Sequence, residues 1–456
     1  MGGDKVEPGE PDSQAAGSRF DDLASVITPD SPIDLYLRWA RVEHGAPEIY
    51  HFATILAIAS QELARRGFRI QRGVLSLWFA LIGESAQGKS SAISMGEQFI
   101  HDAWRDAGLE FEPDPWLEAE GSIAGLLASI REHYDEGRDT TTCMLFQHEF
   151  ASLFQTREAM SEMLCRIADG HSYQRHLREL QRKKDRPDKI IHPVVSGLFA
   201  TTEAALAPHF KEAQRSGGLF SRLAWVKPRF SPGQLRLERD RDAATQKLRD
   251  RAIDAWTAWF AQLGILLDAC GGTLTVEPAA YDLLEAELFE PVRKDCAEGD
   301  DANGIRLRTV ERARVTAAIF AAQRVDDVVR IEDMRRAVAW SQILLRHAAH
   351  ISVGAAESHR LSQRLEKVIR TQGDAGANLR LLYSRTRTDK RLLQAALDIL
   401  LDQGFIVEDR GRKSGVQFYV HADTVRGRQL SAPEKPGSGE VVDLTPAGRP
   451  SASRKR

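Results

Sequence analysis

One stretch of the sequence decides the fold: the apolar run at residues 74–82 (VLSLWFALI), followed directly by the loop at residues 83–90 (GESAQGKS). A short apolar run bounded by glycines is typical of a strand that is buried on both faces of a sheet. Residues 91–100 carry helical spacing, so the loop opens a helix. Strand, GxxxxGKS loop and helix in this order are the context that a Walker A phosphate-binding loop requires.

The residues of this loop fit nucleotide chemistry. In a Walker A loop consecutive backbone amides wrap the phosphates, Lys89 reaches the β- and γ-phosphates, and the Ser90 hydroxyl binds Mg²⁺. ATP and Mg²⁺ are therefore the predicted cofactors, and Lys89 is expected to be an exposed loop residue. The predicted nucleotide-binding residues are Gly83, Glu84, Ser85, Ala86, Gln87, Gly88, Lys89, Ser90 and Ser91.

Three further strands are predicted at residues 142–146, 194–200 and 223–226, with helical patterns between them. This alternation predicts an α/β fold with a mostly parallel sheet. Glu149 follows the strand at residues 142–146 and suits the role of orienting the attacking water. His148 stands just before it, where a metal-binding Asp is usual. An imidazole is a poorer Mg²⁺ ligand than a carboxylate, so hydrolysis is less firmly indicated than binding. Thr202 follows the strand at residues 194–200. There it could contact the γ-phosphate or the attacking water, or it could simply cap the strand.

Composition and patterning divide the 456 residues into segments. The net charge of -3 and 42% hydrophobic content describe an ordinary soluble protein without a general attraction for nucleic acid. No apolar run is long enough to span a membrane, no cysteine pair suggests a disulfide or a zinc ribbon, and a cytoplasmic location is expected. The predicted segments are a disordered tail (1–27), an N-terminal helical segment (28–72), the P-loop core (73–234), a helical lid region (235–356), a small helix-and-strand domain (357–422) and a second disordered tail (423–456).

Taken together, these motifs resemble those of AAA+ helicases of the minichromosome-maintenance and superfamily 3 kind. Residues 218–223 (GLFSRL) are similar to the motif that carries their arginine finger, and residues 308–311 (RTVE) to their second sensor. The order of the shorter motifs is closer still to an uncharacterised primase/helicase-associated P-loop family of phages, plasmids and genomic islands. Those motifs are APE at 46–48, HEF at 148–150, DG at 169–170, Pro193 and ATT at 200–202, and the likeness covers residues 30–422.

The resemblance implies an AAA+-like core with a helical lid and a C-terminal winged helix. It implies catalytic roles for Lys89, Glu149, Thr202, Arg222 and Arg308. In such proteins the arginine finger reaches the nucleotide of a neighbouring subunit. Arg222 therefore predicts a homo-oligomer, which is expected to be a ring. The alternative for Arg222 is a surface ion pair without a catalytic role.

Two basic segments are candidates for binding single-stranded or duplex DNA. Between the strands that end near Glu149 and Thr202, residues 171–190 are rich in Arg and Lys, at the place where the resembling helicases insert a pore hairpin. The small C-terminal domain resembles a winged helix, which docks DNA or a partner protein. The predicted DNA-binding residues are Arg178, Arg182, Lys183, Lys184, Arg387, Lys390, Arg391, Arg412 and Lys413.

These features predict an ATP-dependent, helicase- or translocase-like AAA+ ATPase of a mobile genetic element or genomic island. One alternative is a nucleotide-gated module that binds DNA or protein and hydrolyses weakly, which His148 favours. A second is the ATPase component of a phage-defence system whose nuclease is a separate chain. A small-molecule kinase would leave the C-terminal domain without a role.

Overall fold

The computed structural model of the chain describes residues 23–71, 73–119, 123–150, 158–174, 189–202, 205–206, 218–228, 243–297, 303–351, 353–388, 393, 396–397, 400–401, 405–409 and 418–422. The chain divides into two compact units, Met1–Ala356 and Glu357–Arg456. The predicted tails at 1–27 and 423–456 lie almost wholly outside the described residues.

The centre of the first unit is a six-stranded sheet in the order β3-β5-β8-β2-β9, with β4 added at the start of β5. The five strands of the main path run parallel, and only β4 is antiparallel. This confirms the predicted α/β fold with a mostly parallel sheet. The strands are β2 (Trp78–Ile82), β3 (Trp116–Glu118), β4 (Tyr134–Asp135), β5 (Thr140–Gln147), β8 (Pro193–Thr201) and β9 (Ala224–Val226).

The first half of the apolar run 74–82 does not join the sheet ladder. The strand begins at Trp78. Just before it, hydroxyl groups supply part of the pairing, although the Gly197 amide still donates to the Leu77 carbonyl oxygen at 2.9 Å. Ser76 Oγ donates to the carbonyl oxygen of Val195 at 2.5 Å, and the Leu77 amide donates to Ser196 Oγ at 3.3 Å. The remaining five residues are fully buried, as a strand covered on both faces requires.

Alternate residues of the strands enter two separate cores, one on each face. Phe79 and Leu81 of β2 belong to the larger core, whereas Trp78, Ala80 and Ile82 belong to the smaller one. Helices α1 (Pro32–Glu43), α2 (Glu48–Arg65) and α3 (Lys89–Asp106) contribute to the larger core. Helices α4 (Ile123–Arg131), α5 (Glu158–Ala168) and α6 (Leu219–Arg222) line the smaller one.

The N-terminal helices and the long helical region share the larger core, rather than forming separate bodies. Trp256 of α7 (Ala243–Cys270) donates to the carbonyl oxygen of Pro32 at 2.9 Å, and Trp259 donates to that of Ala322 at 2.9 Å. The helices that follow are α8 (Pro278–Leu284), a π-helical turn (Glu285–Phe289), α9 (Glu290–Ala297), α10 (Asn303–Gln323) and α11 (Ile331–Ile351). The segments predicted at 28–72, 73–234 and 235–356 thus belong to one compact unit.

Two small sheets complete this unit. The strands β1 (Arg69–Ile70), β10 (Thr273–Val276) and β11 (Val328–Val329) form a parallel sheet in the order β1-β10-β11, which the sequence did not predict. The strands β6 (Tyr173–Gln174) and β7 (Lys189–Ile190) pair antiparallel. None of the helices that the structure describes combines the length and the apolar run that a bilayer crossing needs.

The second unit has a core of its own. Helix α12 (Val353–Gln372) enters it, followed by a short 3-10 turn (Gly373–Ala375), β12 (Ala377–Asn378) and α13 (Leu379–Thr386). The strands β13 (Ile406–Asp409) and β14 (Phe418–His421) form an antiparallel sheet with β12, in the order β12-β14-β13. Residues 393, 396–397 and 400–401 are helical. Leucines of the predicted helices meet in this core: Leu361, Leu365, Leu382, Leu393, Leu397 and Leu400.

Candidate nucleotide-binding site

The loop at residues 83–90 connects the carboxyl end of β2 to helix α3, as the sequence predicts. Gly88 ends the loop with a φ of 77°, a left-handed conformation that suits glycine, and it caps the helix. The first amides of the helix, at Lys89, Ser90 and Ser91, have no acceptor within the helix, and the helix dipole favours an anion there. Glu84, Ser85, Ala86 and Ser90 are exposed. The loop therefore presents donors to solvent at a helix N-terminus, which is a phosphate-binding geometry.

Lys89 is buried, contrary to the expectation of an exposed side chain. Its relative exposure is 7%, and its ammonium group donates to the carbonyl oxygens of Gly83 at 2.9 Å and Glu84 at 2.6 Å. Burial lowers the pKa of Lys89 below its ordinary value, and the nearby Glu84 carboxylate partly opposes this. The lysine thus folds back across its own loop, where it can exchange carbonyl acceptors for phosphate oxygens.

The turn between α1 and α2 packs against the loop. A Cβ on Gly88 would lie 2.6 Å from Ala46 Cβ and 2.9 Å from His44 Cε1, and one on Gly83 would lie 2.4 Å from the Tyr50 hydroxyl. That hydroxyl donates to the carbonyl oxygen of Ile82 at 2.7 Å. Neither glycine can therefore carry a side chain without displacing its neighbours. None of His44, Ala46 and Tyr50 was predicted to lie at the site.

Glu149 lies at the same end of the sheet as the loop. Strand β8 stands between β2 and β5, and the Phe150 amide donates to the Ala200 carbonyl oxygen at 2.9 Å. Glu149 follows β5 and is exposed, so it projects at the edge where the loop opens. It is separated from β2 by two strand spacings, roughly 10 Å.

His148 is turned toward the protein rather than toward solvent. Its ring lies 5.5 Å from that of Phe146, and its Nδ1 is buried without a hydrogen-bond partner among the described residues. Among those residues no three His, Cys, Asp or Glu side chains gather into a metal site. Position 148 thus offers an imidazole where a carboxylate would suit Mg²⁺ better.

The two threonines that end β8 lie between the loop and Glu149. Thr201 is buried, and its carbonyl oxygen accepts from the Gly83 amide at 3.4 Å. Thr202 Oγ1 accepts from the Ala205 amide at 3.2 Å and so caps the turn that follows. This hydrogen bond caps the turn after the strand, and the phosphate contact of Thr202 stays a prediction.

Arg222 and Arg308 lie at the opposite end of the sheet. Ala224 pairs with Phe79 near the start of β2, and Arg222 precedes it, so Arg222 is roughly 15–20 Å from the loop in its own chain. Its Nε donates to Asp169 Oδ1 at 2.9 Å, its Nη2 contacts Oδ2, and Arg308 Nη1 donates to Oδ1 at 2.6 Å. Arg222 is 15% exposed, so the ion pair considered as the alternative is formed, and it is partly buried rather than superficial.

Asp169 has an ionised carboxylate. Burial raises its pKa, but the hydrogen bonds and charges of Arg222 and Arg308 outweigh burial, so the net pKa is below the ordinary value. In the sequence, Asp169 stands out only as part of a motif, and Arg312 was not predicted. The i,i+4 spacing of Arg308 and Arg312 places both on one face of α10, and this spacing is a signal that could have found Arg312.

Of the predicted DNA-binding residues, the structure describes Arg387 alone. It follows α13 with a φ of 50°, and its side chain is exposed. The other predicted DNA-binding residues lie outside the described residues: Arg178, Arg182, Lys183, Lys184, Lys390, Arg391, Arg412 and Lys413.

No family model and no curated protein matches the chain. Among solved structures it is similar to "SCCmec type IV Cch - active helicase", with a TM-score of 0.32 and 14% identity over 90% of this chain and 73% of that one. It is also similar to the ORC2 protein of Aeropyrum pernix in ADPNP-ADP complexes, with a TM-score of 0.28 and 12% identity over 79% of this chain and 90% of that one. At these values the assignment rests on the geometry of the chain itself.

Proposed function

We propose that this chain is a P-loop ATPase of the AAA+ kind that assembles as a ring and moves on, or remodels, DNA for a mobile element or genomic island. The observation that carries the proposal is the common edge of the sheet at which the 83–90 loop, Thr202 and Glu149 lie. A phosphate-binding loop beside a carboxylate and a polar strand end is what phosphoryl transfer to water requires.

The residues of the loop act by binding and orienting. The amides at the start of α3 hold the phosphates, and Lys89 moves from the carbonyl oxygens of Gly83 and Glu84 to the β- and γ-phosphates. Ser90 holds Mg²⁺, which neutralises charge on the phosphates when bound. Glu149 orients the attacking water, and the Thr202 hydroxyl contacts the γ-phosphate or that water.

Arg222 and Arg308 serve the site of a neighbouring subunit. Because they lie at the opposite end of the sheet from the loop, they complete a site only when a second copy brings its loop to them. A guanidinium supplied in this way neutralises the transferring phosphoryl group and makes turnover depend on assembly. The role of Asp169 in this proposal is to hold both arginines in place before assembly.

The second unit supplies the contact with DNA or a partner protein. Its helices with a three-stranded antiparallel sheet fit the proposed winged helix. Arg387, Lys390, Arg391, Arg412 and Lys413 would contact phosphates there, and the basic segment 171–190 would contact DNA in the pore of the ring.

A second function is favoured by His148. A chain without a metal-binding carboxylate at this position could bind ATP, recruit DNA or a protein, and hydrolyse the nucleotide only slowly. The two functions differ in turnover rather than in binding.

Steady-state ATP hydrolysis, measured with and without single-stranded DNA, separates them. The proposed motor hydrolyses ATP faster when DNA is present, and Lys89→Ala removes the activity. ATP binding without DNA-stimulated turnover would favour the gated module, and no ATP binding at all would refute both.

A further inference from the structure

A cavity of about 350 Å³ opens at the end of the sheet where the strands begin, opposite the Walker A loop. Apolar residues such as Trp78 and Val74 form one wall, and α10 forms another. The charged lining is unbalanced, because four arginines face two carboxylates: Arg222, Arg308, Arg312 and Arg314 against Asp169 and Glu311. Glu311 is 71% exposed and lies 3.8 Å from Arg308, so it neutralises little of this charge.

Arg312 is the most deeply buried of these arginines. It is 7% exposed, and it donates to the carbonyl oxygen of Ser221 at 2.7 Å and to Thr309 Oγ1 at 3.5 Å. Both acceptors are neutral, and within the described part of the chain no carboxylate lies within ion-pair distance of this guanidinium. Burial, together with the positive charge of Arg308, lowers the pKa of Arg312 to about 9, although the Glu311 carboxylate opposes both effects. The group therefore remains charged at neutral pH. A buried cation with neutral partners is costly, and an anion in the cavity would relieve that cost.

Asp169 is the counter-ion that two arginines of the cluster share, and its side chain is 14% exposed. Arg222 binds it through two nitrogens and Arg308 through a third. A carboxylate carries one charge, whereas a phosphate group carries up to two and offers more acceptor oxygens. Arginine forks match such an oxyanion in geometry as well as in charge.

We infer that this cavity is a second binding site, for an oxyanion of the phosphate class, with Arg312 at its buried end, Arg308 and Arg222 beside it, and Asp169 as the competing counter-ion. The phosphate belongs to a free small ligand, whereas the nucleotide of a neighbouring subunit is the partner that the proposed function already gives to Arg222 and Arg308. The site goes beyond the proposed function, because the Walker A loop is at the other end of the sheet and hydrolysis is not required.

The first arm of the test uses Lys89→Ala protein, in which the Walker A loop is disabled, and titrates it with inorganic pyrophosphate by calorimetry. We expect one site, weakened about tenfold or more by Arg312→Gln and by Arg308→Gln, because each removes a charge-assisted hydrogen bond. Asp169→Asn should tighten binding, since it removes the competitor, and a purely structural cluster would not behave in this way. Arg335→Gln, which changes an exposed arginine of α11, is the control of equal charge. Circular dichroism checks that each variant is folded.

The second arm distinguishes the source of the phosphate. If pyrophosphate does not bind, wild-type protein is examined by sedimentation with a non-hydrolysable ATP analogue. Assembly that depends on the analogue, and is lost in Arg312→Gln and Arg308→Gln while nucleotide binding persists, supports the proposed contact with a neighbouring subunit and not a separate site. Absence of pyrophosphate binding therefore overturns the inference, whatever the assembly does. The first arm does not depend on the Walker A loop, so it tests the inference even if the chain binds no nucleotide at that loop.

Discussion

The ammonium group of Lys89 donates a hydrogen bond to the carbonyl oxygen of Gly83 at 2.9 Å, so the lysine closes the loop on itself before any phosphate is bound. The same nitrogen donates to the Glu84 carbonyl oxygen at 2.6 Å. These acceptors are neutral and can be exchanged for charged phosphate oxygens, which form stronger hydrogen bonds with an ammonium group. The geometry therefore favours a lysine that is positioned for the nucleotide in advance.

Lys89→Ala should weaken ATP binding by roughly tenfold to a hundredfold, because one charge-assisted interaction is worth ~1.5–3 kcal/mol. Binding is measured with a fluorescent ATP analogue. Lys89→Met keeps the buried stem but not the charge, so it separates lost packing from lost electrostatics. Equal affinity for ATP in Lys89→Met and the wild type would show that the ammonium group of Lys89 does not contribute to ATP binding.

Gly88→Ala should both destabilise the protein and impair nucleotide binding. A side chain at a φ of 77° costs ~1–2 kcal/mol, and the added Cβ would also lie 2.6 Å from that of Ala46. Gly108→Ala is the matched control, since Gly108 has a φ of 66° with nothing within 4 Å of the added Cβ. Thermal unfolding measures the loss of stability in both variants, and the difference between the two losses is the contribution of the contact with Ala46. Equal losses of stability would show that the α1–α2 turn does not press on the loop.

The pair His148 and Glu149 tests the chemistry at the edge of the sheet. Glu149→Gln should lower turnover and leave ATP binding unchanged, because a neutral amide orients water without accepting its proton. His148→Asp should raise Mg²⁺-dependent turnover, since a carboxylate is a better ligand for a hard cation. Both are measured as kcat across a Mg²⁺ titration. Full turnover in Glu149→Gln would mean that another residue orients the water.

His51 should make the stability of the protein sensitive to acid. It is fully buried in α2, its Nε2 has no hydrogen-bond partner among the described residues, and burial, with His44 nearby, lowers its pKa to about 3. Between that value and an unfolded pKa of ~6.5 the unfolded state binds more protons, so the free energy of unfolding falls as pH falls below ~6.5. The loss approaches ~1.4 kcal/mol per pH unit, or ~2 kcal/mol by pH 5.

His51→Gln should abolish that part of the acid sensitivity, because glutamine does not titrate. Urea unfolding at a series of pH values between 5 and 8 measures it. His192→Asn is the control, because His192 is 68% exposed and asparagine tolerates its φ of 37°. Parallel stability profiles for the wild type and His51→Gln would contradict the prediction.

The sequence predicts the parts of the fold that depend on local pattern. The strands β2, β5, β8 and β9 are apolar runs, and the loop after β2 carries a motif with fixed spacing. Strand β3 was missed because it has three residues and follows Pro113 and Pro115, so it has no run to detect. The sheet β1-β10-β11 was missed for a similar reason, since its short strands come from distant segments.

The charged cluster around Asp169 shows the limit of motifs for the site. Arg222 and Arg308 were found separately, as parts of two motifs, but their common partner comes from a third segment. Only the tertiary fold brings the three together, and the spacing of residues along the chain does not encode that contact. The burial of Lys89 was missed because it depends on how the loop carbonyl oxygens turn.

Arg222→Ala tests the largest part of the proposed function. A finger that acts on a neighbouring subunit contributes ~10³–10⁵ to turnover, whereas a partly buried ion pair contributes only to stability. Arg222→Ala should therefore bind ATP normally and hydrolyse it poorly. Asp169→Asn is the matched control, because it breaks the same ion pair and keeps the guanidinium. It should lose stability, most strongly above an unfolded pKa of ~3.9 and less as pH falls through the depressed pKa of Asp169. Its turnover should fall much less than that of Arg222→Ala, because the guanidinium is still present although its holding carboxylate is lost.

Mixing Arg222→Ala protein with Lys89→Ala protein should restore part of the activity, because each supplies the half of a shared site that the other lacks. The ATPase rate of the mixture is compared with the sum of the separate rates, and sedimentation follows assembly with nucleotide and DNA. Equal loss of turnover in Arg222→Ala and Asp169→Asn, without recovery on mixing, would reduce Arg222 to a structural ion pair. A chain that stays monomeric would exclude the ring. The Walker A loop would still bind ATP in either case, so the gated binding module would then describe the protein better.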